Sequence, residues 1–164
     1  MTKILLLSDT HSHMDTTILK YAAQADEIWH AGDIGSLRVT DALAKLKPVK
    51  AVYGNIDDAI IQKEFPLDNR FKCEGVDVYM THIGGYPPKY NPRTRKNIQE
   101  NPPKLFISGH SHILKVVMDK KLGVLHMNPG ACGRHGFHQV RTMLRFVIDG
   151  DTIKDLEVVE LGKR

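Results

Sequence analysis

With 164 residues, 41% hydrophobic and 26% charged, the chain has the composition of an ordinary globule, a single domain over 1–164, and no apolar run long enough to span a bilayer. A net charge of +4 favours an anionic ligand such as a phosphate, but it argues against a dedicated nucleic-acid binder, as does the lack of basic residues interleaved with aromatics. Cys73 and Cys132 make neither a disulfide framework nor a zinc motif, and no signal-peptide core is present, so the expected setting is a reducing cytoplasm.

The first predicted element is a strand over 3–8, beginning almost at Met1, so nothing is expected to precede the domain. Asp15 then caps a helix whose apolar face is Ile18, Leu19, Ala22 and Ala23. A short apolar strand at Ile28-Trp29 follows. A second helix is expected from Ser36, with Val39, Leu43 and Leu46 at helical spacing, and it stops before Pro48, whose ring disfavours the helical conformation at the preceding residue. Apolar runs at 49–53, 76–80 and 105–107 read as further strands. Asn91-Pro92 predicts a short third helix, with asparagine as cap and proline in the first turn. The C-terminal part changes character, with strands at 113–119, 123–127, 138–148 and 152–160, the last two joined by a tight turn at Asp149-Gly150. Helix-rich units followed by a β-rich end predict an α/β fold of two packed, mixed β-sheets flanked by helices.

Seven oxygen- and nitrogen-bearing side chains stand just after these apolar runs: Asp9 and His11, Asp33, Asn55, His82, then His110 and His112. The intervals from Asp9 to Asp33, Asn55, His82 and His110 are 24, 22, 27 and 28 residues, each close to one strand plus a crossover. Side chains at the carboxyl ends of successive strands converge on the edge where open α/β sheets carry their sites. Taken singly, Gly32-Asp33 and Gly54-Asn55 are ordinary turn dipeptides, and Asp9-Thr10-His11 could be a hydrogen-bonded strand end. In this order, each behind a strand, they point to a binuclear metal site. Asp9 and His11 lie two apart, as strand alternation requires for side chains on one face. Two carboxylates, four imidazoles and a carboxamide suit Mn²⁺, Fe, Zn²⁺ or Ni²⁺ better than Ca²⁺ or Mg²⁺.

Other polar residues carry weaker signals. His30 reads as a strand-end residue or a partner supporting the site. His13, His126, His135 and His138 follow no pattern and read as surface or packing residues. Lys89, Arg93, Arg95 and Lys96 form a solvated basic face or attract an anion, and Arg134 is a lesser candidate for a phosphate contact.

The pattern Asp9-Thr10-His11, Gly32-Asp33, Gly54-Asn55, His82, Gly109-His110-Ser111-His112, with Asn128-Pro129-Gly130 beyond it, resembles the calcineurin-like metallophosphoesterase superfamily, and within it the compact bacterial and archaeal phosphodiesterase branch. The resemblance implies one ion held by Asp9, His11 and His112, a second by Asn55, His82 and His110, and Asp33 bridging both. It implies a phosphodiesterase acting on a small phosphodiester, with two divalent transition metal ions, Mn²⁺ first, and a metal-bridging hydroxide as nucleophile. Asn55 and His110 would help orient the phosphate. A homodimer or homotetramer is compatible with the family, and the alternative function is a catalytically weak scaffold of the same fold, as in the retromer subunit. Many members read Gly-Asn-His-Asp where this chain has Gly54-Asn55-Ile56-Asp57. The missing histidine is the one held to protonate the leaving group, and this leaves the general acid unassigned.

Overall fold

The computed structural model describes residues 1–164. In chain order the elements are β1 (Thr2–Leu7), α1 (Thr16–Gln24), β2 (Glu27–His30), α2 (Leu37–Ala44), β3 (Val49–Ala51) and α3 (Ala59–Glu64). They continue as β4 (Asp68–Cys73), β5 (Val76–Thr81), the short pair β6 (Gly85–Tyr86) and β7 (Lys89–Tyr90), α4 (Pro92–Glu100) and β8 (Leu105–Ile107). The chain closes with β9 (Leu114–Asp119), β10 (Val124–Pro129), β11 (Val140–Asp149) and β12 (Thr152–Lys163).

Side-chain alternation along β1 sets the layers. Ile4 and Leu6 enter a central core with Trp29, Val78, Met80, Ile107 and Phe146. Leu5 and Leu7 face the other way, onto a core with Ile18, Val39, Leu43 and Ile61. Each such buried aliphatic chain stabilises the fold by roughly 1.5–3 kcal/mol. The central core lies between two five-stranded sheets, ordered β12-β11-β1-β2-β3 and β4-β5-β8-β10-β9. Both are mixed: β1, β2 and β3 run parallel, as do β5, β8 and β10, while β11, β12, β4 and β9 are antiparallel to their neighbours. Helices α1 to α3 cover the outer face of the first sheet. Helix α4 covers the second, its Ile98 packed with Tyr79 and Phe106. The expected arrangement of two packed mixed sheets flanked by helices is thus present. No helix is long and apolar enough to cross a membrane.

Three of the caps are those predicted from side-chain chemistry. Asp15, Ser36 and Asn91 accept the N–H of Ile18, Arg38 and Arg93. Other details differ from the sequence expectation. Helix α3, capped by Asp58, and strand β4 are additions, so the helix at Asn91-Pro92 is the fourth rather than the third. Ala23 and Leu46 face solvent: Ala23 lies off the stripe of α1 that buries Ile18 and Ala22, and α2 ends before Leu46. The closing hairpin pairs Asp149 with Thr152, which makes Gly150-Asp151 the two-residue turn, and Gly150 adopts φ +61° as such turns require.

Asp15 does more than cap. Its Oδ2 accepts from Arg141, whose guanidinium is only 3% exposed, at 2.8 Å, and Arg141 Nε donates to the Cys132 carbonyl. The pair ties α1 to the loop after β10. Burial would raise the Asp15 carboxyl, but the Ile18 N–H, His13 and Arg141 outweigh it and hold it at about 2. Because the folded pKa lies below the ordinary value, the stabilisation is complete above the normal carboxylate range and disappears as pH falls through about 2. Asp15→Asn leaves a buried guanidinium without its counter-charge, and a loss of roughly 2–4 kcal/mol in urea unfolding at neutral pH is expected. Equal stability of variant and native protein at neutral pH would count against this coupling.

Candidate metal centre

The parallel strands of the two sheets end side by side, and the candidate ligands occupy the loops that leave them. Asp9 and His11 follow β1, Asp33 follows β2, Asn55 follows β3, His82 follows β5, and His110 and His112 follow β8. Backbone bonds extend the sheets into these loops: Asp9 N–H to Gly32 O at 2.9 Å, His11 N–H to Asp33 O at 3.0 Å, and Gly109 N–H to His82 O at 3.0 Å. Asp9 and His11 do not share a face by strand alternation. Asp9, His11, Asp33, His110 and His112 all have positive φ, from 44° to 71°. A non-glycine residue held there costs about 1–3 kcal/mol, a strain that clusters where side chains must be aimed.

The glycines of the motifs have spatial reasons. At Gly32, with φ +99°, a Cβ would stand 2.6 Å from His82 Nδ1, and at Gly54 it would run into the Asp33 side chain. Both positions let the backbone pass directly behind a candidate ligand.

The polar atoms converge as two groups. In Asp9, His11 and His112 one ligand atom from each lies within 4.8 Å of the others, and the same holds for Asp33, His82 and His110. Asp33 Oδ2 stands between the groups, 3.4 Å from His11 Nε2 and 3.2 Å from His82 Nε2. Asp9 Oδ1 is 3.1 Å from His112 Nε2. Asn55 Oδ1 lies 2.9 Å from His110 Nδ1, which adds the carboxamide to the second group.

This donor set fits cations. Asp9 and Asp33 are buried, and no lysine or arginine forms an ion pair with either. Buried carboxylates without a counter-charge are costly. His11 Nε2 and His82 Nε2 are buried without a hydrogen-bond partner. His82 Nδ1 stands 2.7 Å from the Ala31 carbonyl, which fixes the ring proton there and leaves the Nε2 lone pair facing the carboxylates. Electrostatics agree. Burial would lower the His82 pKa, yet Asp33 and Asp9 raise it above the usual histidine value. Burial would likewise raise the Asp33 carboxyl, but His11, His82 and the Ile56 N–H hold it far below the carboxylate range. The pocket thus demands positive charge, from protons or from metal ions.

Around these atoms sits a set of supporting side chains. His30 is fully buried: Nδ1 accepts the Gly32 N–H, so Nε2 donates to Thr10 Oγ1 at 3.0 Å, and burial drives its pKa down to about 4. It braces the first two ligand loops, as the supporting alternative required. Asp57 accepts the N–H groups of Ile34, Gly35 and Gly54. Ser8 Oγ donates to Asp9 Oδ2 at 2.6 Å. Asn128 donates to the Gly109 carbonyl and Ser111 Oγ and accepts from Gly130, which is how Asn128-Pro129-Gly130 holds the Gly-His-Ser-His loop. Cys132 is buried, with its thiol pushed up to about 12 by desolvation.

The groups open into a cavity of about 540 Å³ bordered by Asn55, Ile56, His110, His112, His135, Phe137 and His138. His135, expected to be a surface or packing residue, is exposed and stacks on His11 with ring centroids 4.7 Å apart. No motif marks it. Arg134 is exposed and outside the cavity wall. Arg93 is engaged with Asp68 and Thr81. His13 pairs with Asp15.

The family model for the calcineurin-like phosphoesterase superfamily domain matches residues 2–151. The chain belongs to that superfamily. A relative, the probable metallophosphoesterase of Methanothermobacter thermautotrophicus, is 28% identical, the match covering 96% of this chain and 91% of that protein. Among solved structures, an archaeal phosphodiesterase superposes with a TM-score of 0.76 at 22% identity over 97% of this chain and 99% of its own. Wild-type Vps29 of Entamoeba histolytica complexed with Zn²⁺ gives 0.74 at 16% identity over 96% and 98%. At those identities the two structures speak for the shared fold. Superfamily and relative make the chain a phosphoesterase-family hydrolase.

Proposed function

We propose that the protein is a binuclear metal-dependent phosphodiesterase. The observation that carries this reading is the pair of ligand groups with Asp33 Oδ2 between them and imidazole lone pairs facing two uncompensated carboxylates. Asp9, His11 and His112 would hold one ion, Asn55, His82 and His110 the other, and Asp33 both. Mn²⁺ is the first choice by likeness to the superfamily, and the mixed oxygen and nitrogen set also suits Fe, Zn²⁺ and Ni²⁺. When bound, such ions acidify a water molecule and neutralise phosphate oxygens. The chain's own groups do the rest. His30, Asp57 and Asn128 hold the ligand loops so that little reorganisation accompanies reaction, and Asn55 and His110, at the cavity wall, orient the phosphate. Two free, buried cysteines fit a cytoplasmic setting.

A second reading, a scaffold, is favoured by one feature. Phe137 and Ile113 are exposed apolar residues on the rim of the same cavity. Because a Vps29 takes zinc, metal content alone does not separate the two readings. Turnover does. Protein reconstituted with Mn²⁺, Zn²⁺ or Ni²⁺ is expected to hydrolyse bis(p-nitrophenyl) phosphate in preference to p-nitrophenyl phosphate. Metal-loaded protein that turns over neither ester would favour the scaffold.

A further inference from the structure

A second cleft of about 460 Å³ opens beside the candidate metal centre and shares His110, Ser111 and Ile113 with its cavity. The β6–β7 hairpin forms one wall, and β9 and β10 the other. Its chemistry differs sharply from that of the ligand groups. No aspartate or glutamate lines it, and its only permanently charged side chains are Lys89 and Lys115. Neither lysine takes part in an ion pair. Lys115 Nζ is held 3.8 Å above the Tyr86 ring centroid, partly stripped of water and without a counter-ion. At the buried end lies His126, 1% exposed. Its Nδ1 is 3.1 Å from the Phe106 carbonyl, and burial lowers its pKa to about 4, so the ring is neutral with its proton on Nδ1. That leaves Nε2 free to accept a hydrogen bond on a ring that lines the cleft.

The bland account is that two lysines happen to be solvated near each other. It does not explain a neutral imidazole lining the cleft with Nε2 free to accept, nor a cleft that runs directly into the residues of the centre. We propose that this cleft is the subsite for one arm of the phosphodiester, and that it selects an arm bearing a second anionic group, a phosphate or carboxylate, together with a hydrogen-bond donor. Lys89 and Lys115 would meet the anion and His126 Nε2 the donor, with the scissile phosphate at His110. The inference rests on the phosphodiesterase reading and adds a substrate class to it.

The test compares thymidine 5′-(p-nitrophenyl phosphate) with the same ester carrying a 3′-phosphate, so that the two probes differ by one anionic group. The native, metal-loaded protein is expected to favour the 3′-phosphorylated ester by roughly tenfold in kcat/KM, as charge-assisted contacts in a partly desolvated site do. In Lys89→Met/Lys115→Met the ratio is expected to fall to near one, and Lys115→Glu should reverse it. Lys20→Met, which removes an exposed lysine on α1, controls for net charge and should keep the ratio. A native ratio near one, or a ratio the lysine variants leave intact, overturns the subsite. If the native protein hydrolyses neither ester, the phosphodiesterase reading fails instead. Calorimetric titration of the two probes then reads the cleft directly: tighter binding of the phosphorylated probe, lost in the double variant, sustains an anion subsite, and equal binding rejects it.

Discussion

Asp33→Asn is expected to lower phosphodiester turnover at least about 100-fold and to abolish the stabilisation that added Mn²⁺ confers on the native protein. Loss of a group that merely supports a ligand costs about 10–100-fold in metal affinity or activity, and a shared ligand should cost more. The substitution keeps the size and shape of the side chain. An amide oxygen can still accept the Ile56 N–H that Asp33 Oδ1 receives at 3.1 Å, and what disappears is a buried negative charge between His11 and His82. Because the ionised Asp33 also stabilises the metal-free fold through His11 and His82, the comparison is of the gain that metal adds to each protein over its own metal-free urea midpoint. With metal at about 1,000 times its Kd, the native protein gains about 4 kcal/mol that the variant lacks. That difference separates a binding defect from a folding defect. Two ions per chain with normal turnover in Asp33→Asn would remove Asp33 from its bridging role.

Much of the architecture and of the candidate centre is legible in the sequence because both depend on local chemistry. Asp15, Ser36 and Asn91 announce helix starts through side-chain oxygens that satisfy free N–H groups, and Ile4 to Leu7 announces a strand buried on both faces. The seven candidate ligands stand out because each follows an apolar run, and the structure brings all seven to one edge of the sandwich. Features fixed by tertiary contact stay hidden. Strand β4 reads Asp68-Asn69-Arg70-Phe71-Lys72-Cys73, too polar to declare itself, and becomes a strand by pairing with β5. Helix α3, capped by Asp58, spans six residues, below the length at which periodicity is informative. His135 reaches His11 only because the loop after β10 folds back. His30 was ambiguous, since a histidine at a strand end looks alike whether it faces water or braces a loop. The left-handed backbone at Asp9, His11, Asp33, His110 and His112 was also invisible, as residue type gives no warning of strain imposed by surroundings.

Hydrolysis is expected to depend steeply on the leaving group, with nitrophenyl esters reacting far faster than alkyl esters. The reason lies at Ile56, which is 46% exposed on the cavity wall and has no proton to donate. A positioned general acid contributes about 10²–10⁴-fold, and that benefit falls mostly on leaving groups too basic to depart as anions. Neighbouring groups do not fill the gap. Both Asp57 oxygens accept backbone N–H groups, and the His13 ring is paired with Asp15 outside the cavity wall. The measurement is kcat/KM against leaving-group pKa at constant metal content, under conditions where chemistry limits the rate. A strongly negative slope is expected for the native protein. Ile56→His should flatten it by accelerating alkyl esters more than nitrophenyl esters, because position 56 already borders the cavity and its N–H is anchored to Asp33. A flat slope in the native protein overturns the missing-acid account and turns attention to His135, the exposed imidazole on the same wall.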